Sequence, residues 1–149
     1  MPSLKDTLQT DMKAAPRAGD KLRLGVIRMA LAAIQRREVD ERIELDDAGV
    51  LQIVEKLVKQ GTESARQFAE GGRDDLVKKE LAEVELLKTY MPEPLSEAEL
   101  DVLIDEIIRA TGAEGVRDMG KVMSGIREQA QGRADMGVAS SRVKSKLTT

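Results

Sequence analysis

Few side chains in this chain could do chemistry, and the candidates are soon weighed. Gly120-Lys121 has the look of the end of a phosphate-binding loop. The Gly-x-x-x-x-Gly-Lys-Ser/Thr spacing and the preceding strand are both missing, so nucleotide phosphates have no cradle there. Asp74 and Asp75 are adjacent carboxylates, a pattern that suits a metal or a general acid and base. It equally suits the first turn of a helix, where carboxylates face the positive end of the dipole. Arg28, Gln35, Arg36 and Arg37 could meet phosphates, or simply be solvated. The chain has no His and no Cys. Nucleophile–histidine catalysis, disulfides and thiolate metal sites are therefore excluded, and no catalytic residue, metal or cofactor is assigned.

The remaining candidates lie in one stretch, Asp118-Met119-Gly120-Lys121-Val122-Met123, followed by Gly132-Arg133-Ala134-Asp135. Met119, Val122, Met123 and Ile126 fall at i, i+3, i+4 and i+7, the apolar stripe of a helix. Gly120 and Lys121 lie off that stripe. Asp118 is placed to cap this helix, Gly132 to end it, and Asp135 to cap the next.

Charge is unevenly spread. The net charge is −3, but residues 1–42 carry +3, residues 43–114 carry −10 and residues 115–149 carry +4. Basic ends around an acidic middle hint at an anionic partner at one end. Solvated helix faces would look the same. Only Phe68 and Tyr90 are aromatic, so the core must be built from Leu, Ile, Val, Met and Ala, which suits helix-on-helix packing. No apolar run is long enough to span a bilayer. With no signal-peptide pattern at the N-terminus, a cytoplasmic setting is expected.

The elements that would position these residues are all helical. Ser3 with Asp6 predicts a capping box, and Pro16 an end, for the first helix. Gly19 then Asp20 predicts a stop and a fresh cap. The second helix, about 21–42, has two apolar rows: Leu22, Val26, Met29 and Ala33 beside Leu24, Ile27, Leu31 and Ile34. That width predicts a buried central helix, with Gly25 and Ala32 allowing a close crossing. A third helix opens at Asp46 or Asp47 and ends at Gly71-Gly72. A fourth opens at Asp74-Asp75, with Val77, Leu81, Val84 and Leu87 inward. Pro92 and Pro94 then force extended geometry, a stiff strut and the natural domain boundary. Ser96 with Glu99 caps the next helix, whose stripe is Leu100, Leu103, Ile104, Ile107 and Ile108. The expected fold is all-α: an N-terminal four-helix bundle (1–90), a Pro hinge (91–95) and a small three-helix domain (96–149).

The stretch 118–135, the hinge Tyr90-Met91-Pro92-Glu93-Pro94-Leu95 and the run Ile34-Gln35-Arg36-Arg37-Glu38 resemble a known family. They are similar to the tail of the B subunit of the glutamine-dependent tRNA amidotransferase (GatB) and to the stand-alone YqeY proteins that share it. The order of these motifs along the chain is more specific than any one of them. The resemblance implies a tRNA-binding accessory protein, with Gly120, Lys121, Gly132, Arg133 and Lys144 as RNA-binding residues. It also carries the label of a carbon–nitrogen ligase with glutamine as amide donor, which describes the whole amidotransferase complex rather than chemistry by these residues. The alternative is a helical adaptor for an amidotransferase or aminoacyl-tRNA synthetase. Neither DNA nor a membrane is an expected partner.

Overall fold

The computed structural model describes residues 3–16 and 20–148, and every regular element among them is helical. The chain divides into two compact units, Met1–Met91 and Pro92–Thr149. The first holds α1 (Leu4–Ala14), α2 (Lys21–Glu41), α3 (Asp47–Glu70) and α4 (Asp74–Lys88). The second holds α5 (Glu97–Thr111), a 3₁₀ turn (Val116–Asp118), α6 (Met119–Ala130) and α7 (Met136–Leu147). No helix among the described residues is long and apolar enough to cross a membrane.

Local chemistry sets most of the boundaries. Ser3 and Asp6 form the capping box of α1. Asp20 accepts from the Arg23 N–H at the start of α2, and Asp46 from the Gly49 N–H at the start of α3. Gly19 lies outside the described residues. Asp74 and Asp75 occupy the first turn of α4, as the dipole favours. α3 ends before Gly71-Gly72, and Gly72 takes the left-handed φ of +72° that side chains resist.

In the first unit, Leu8, Ile27, Ile34, Val50 and Ile53 form one apolar cluster, and Val26, Val54 and Leu87 another. Both reach Tyr90, just past the end of α4, whose hydroxyl ties that point to α1 and α2. That group donates to Asp11 Oδ2 at 2.6 Å and accepts from Arg23 Nη1 at 3.5 Å. Burial, then the bond to Asp11, pushes the Tyr90 phenol up to about 12.

α2 is less central than its two apolar rows predict. Val26, Ile27, Ala30 and Ile34 are buried, but Leu22 is 39% and Met29 40% exposed. The close crossing expected at Gly25 and Ala32 is not made within the unit: both are exposed, and a Cβ on Gly25 would meet nothing within 4 Å. Leu81, expected inward on α4, is also exposed. The tight approach occurs instead where α3 meets α4. A Cβ at Gly61 would stand 2.7 Å from Val84 Cγ2, on a stiff, buried side chain.

Two expectations follow. Gly61→Ala is to destabilise the first unit by about 1–3 kcal/mol through overpacking, although alanine is the better helix former. Gly25→Ala, free of neighbours, is to stabilise it by up to about 1 kcal/mol. Urea unfolding followed by circular dichroism checks both. The second concerns alkaline pH. A phenol held above its unfolded value of about 10 adds stability that is intact below that pH and is lost as pH rises towards 12. Tyr90 is the only tyrosine, so phenolate absorbance reports it alone. Tyr90→Phe is to remove this part of the alkaline loss.

Candidate nucleic-acid interface

The second unit is held by one apolar seam. Leu100, Ile104 and Ile107 of α5, Val122 and Ile126 of α6, and Val143 of α7 are all buried in it. The register is read from ion pairs. Arg142 Nη1 reaches Asp101 at 2.9 Å, and Lys146 Nζ reaches Asp105 at 2.9 Å. Both helices advance by four residues between these pairs, so α5 and α7 run in the same direction. α6 returns between them, joined to α7 by a short turn. The start of α6 therefore lies at the end of the unit where α7 finishes.

This topology sorts the five residues named from the sequence into two groups. Gly120 and Lys121, in the first turn of α6, share one end with Lys144, in the last turn of α7. Gly132 and Arg133, in the turn after α6, are at the other end, about 18 Å away for 12 residues of helix. The structure does not bring all five into one patch.

Within the first group, Gly120 is exposed and a Cβ there would meet nothing within 4 Å. Neither packing nor a left-handed φ requires glycine at that position. Lys121 is well exposed, its Nζ 3.8 Å from Asp118 Oδ1. Lys144 is exposed and has no ion-pair partner among the described residues. Asp118 is not the side-chain cap expected of it. It ends the 3₁₀ turn, and its carboxylate accepts from the Glu114 N–H at 3.0 Å. That bond, with Lys121 and Arg117 nearby, holds its pKa below the ordinary carboxylate value. Asp135 does cap α7, accepting from the Gly137 and Val138 N–H groups. Sequence reasoning passed over Arg117 and Arg127, both exposed. Arg127 lies seven residues after Gly120, on the same helix face, and that spacing was the available signal.

A family of YqeY-like proteins matches residues 5–147 of this chain. The chain belongs to the YqeY-like family. Its relatives include proteins named "Altered inheritance of mitochondria protein 41, mitochondrial". The one from Lachancea thermotolerans is 35% identical, over 68% of this chain and 56% of its own length. Those from Pyrenophora tritici-repentis and Eremothecium gossypii are 31% and 38% identical, over 85% and 71% of this chain and 71% and 62% of their own. The match thus spans less than two thirds of two of these three relatives.

In this YqeY-like chain the second group forms a latch. Gly132 takes a φ of +77° and turns the chain back, which places Arg133 beside the proline segment. Arg133 Nε donates to the Glu93 carbonyl at 2.8 Å, and the Leu95 N–H donates to the Arg133 carbonyl at 2.8 Å. The segment Glu93–Leu95 is thereby strapped to the tail unit. Among the described residues, the terminal guanidinium nitrogens of Arg133 make no hydrogen bond.

Arg133→Ala is expected to speed amide exchange at Leu95 severalfold with less than about 1 kcal/mol lost, because the freed Glu93 carbonyl is exposed and water can replace the donor. Gly132→Ala is expected to be worse, by about 1–2 kcal/mol, since an L side chain resists that φ. Native-state hydrogen exchange resolves both.

Proposed function

We propose that this chain is a tRNA-binding accessory protein that grips RNA with its tail unit, without chemistry of its own. The observation that carries the reading is Gly120-Lys121: an exposed helical glycine that the fold does not require, beside an exposed lysine. A bare backbone lets a phosphate or ribose come close, and lysine supplies the charge. Structured RNA is recognised largely by shape and 2′-hydroxyl contacts, so a surface without aromatics is adequate. Lys144 joins this end, with Arg117 and Arg127 flanking it; at the far end Arg133 would form a separate contact through its terminal guanidinium nitrogens, while Gly132 is buried and sets the turn that presents it.

The overall charge supports this less than the raw sequence does. As a unit, Pro92–Thr149 carries eight basic and ten acidic residues, because α5 brings an acidic row that the count from residue 115 leaves out. Arg142 and Lys146 are neutralised by that row. The grip therefore rests on a few cations and should be modest and local. A cytoplasmic setting beside translation remains our reading for this chain, whereas the relatives' printed name places them in mitochondria. The ligase label stays with the amidotransferase complex. The adaptor alternative, with an amidotransferase or synthetase as partner, would draw in the tail on the exposed Val102, Val116 and Val138.

The test is binding of a tRNA transcript to the full chain across a salt series. Lys121→Ala with Lys144→Ala is expected to weaken binding and flatten the log–log salt slope by roughly one unit per lysine. Gly120→Ala is expected to keep or raise stability while weakening binding. Arg142→Ala, where the cation is already paired, is expected to leave the slope unchanged. No affinity at low salt, or a slope indifferent to both lysines, overturns the proposal.

A further inference from the structure

The first unit presents a second surface, unused by its own packing. Leu22, Gly25, Met29, Ala32, Arg36 and Val39 lie on one line of α2, alternating three and four residues apart, and all are exposed. This is the seam spacing by which one helix receives another. Val39 is 67% exposed, and Ile43, just past the helix end, 48%. The small residues Gly25 and Ala32 leave room for a close backbone approach. Beside the seam a groove opens between α2 and α3, floored by Ala33, Ile53 and Leu57.

The charges around the seam choose the occupant. Lys21 and Arg28 flank it on one side, Arg36 sits within it, and Lys56 of α3 stands across the groove. All four are exposed and have no ion-pair partner among the described residues. Arg37, by contrast, is bound to Glu41 at 2.6 Å. Among the described residues that line the groove, Asp40 is the one carboxylate without such a pair. We infer that the α2 seam docks an amphipathic helix of a partner protein, with an apolar stripe bordered by Glu and Asp.

Other occupants fit less well. A second copy would set the row Lys21, Arg28 and Arg36 against itself. A bilayer surface favours bulky Trp, Phe and Leu, whereas this seam holds a glycine and an alanine and no aromatic. RNA has no ridge to fill an apolar seam. The inference concerns the first unit and stands independently of the RNA reading of the tail.

The test uses the full chain and two synthetic helical peptides, four heptads long, with the same leucine stripe and either Glu or Lys at the flanking positions. The Glu-flanked peptide is expected to bind at least tenfold more tightly. Met29→Glu with Ala32→Glu, both exposed positions, is expected to remove binding with the circular dichroism spectrum unchanged. Arg28→Glu with Arg36→Glu is expected to reverse the preference to the Lys-flanked peptide. Equal or absent binding of the two peptides overturns the inference. So does concentration-dependent dimerisation, or binding to phosphatidylserine vesicles, abolished by Met29→Glu, since each would assign the seam to another occupant.

Discussion

One buried apolar seam packs α5, α6 and α7 together, and the pairing of Arg142 and Lys146 of α7 with Asp101 and Asp105 of α5 reports their register. Partly exposed pairs of this kind contribute at most about 1 kcal/mol each. Full burial of one Ile or Val contributes about 1.5–3 kcal/mol. The apolar seam of Ile104, Val122, Ile126 and Val143 therefore holds the unit together. The short connections after α5 and α6 reverse the chain twice, and the ion pairs determine which cations remain for solvent or a ligand. Arg142 and Lys146 are taken up inside the fold, whereas Lys144 has no ion pair among the described residues and Lys121 makes only a long one, 3.8 Å, with Asp118.

Glycines divide the molecule in a similar way. Gly61 is pressed against Val84, and Gly125 against Ile107, where a Cβ would come to 2.9 Å; these serve packing. Gly72, Gly112 and Gly132 serve left-handed turns. Gly25 and Gly120 serve neither. A helical glycine costs up to about 1 kcal/mol against alanine, so both stand out as places where something outside the chain is expected to come near. One lies on each unit, and each has exposed cations beside it.

Much of this was legible in the sequence, for physical reasons. Capping boxes at Ser3–Asp6 and Ser96–Glu99, the cap at Asp135 and the glycine stops are local chemistry, and local chemistry is written in consecutive residues. The all-α architecture followed from helical periodicity and the lack of aromatics. What failed depended on packing. Leu22, Met29 and Leu81 have the right period for a core, but no helix among the described residues covers them. Asp118 has the right residue type for a cap, yet the 3₁₀ turn before it redirects its carboxylate to Glu114. Arg133 is a cation in a turn, and no one-dimensional signal shows that its Nε is tied to the Glu93 carbonyl. The charge of the tail was misjudged because segments were counted along the chain while the helices pair across it.

We propose that RNA meets the tail at the end where α6 begins and α7 finishes. Backbone chemical-shift mapping of the full chain, titrated with a tRNA transcript, tests it most directly. Shifts are expected to concentrate at Met119–Val122 and around Lys144, with the α5–α7 pairs of Arg142 and Lys146 little affected. Shifts centred on those paired residues or on α2, or none at all, would contradict it.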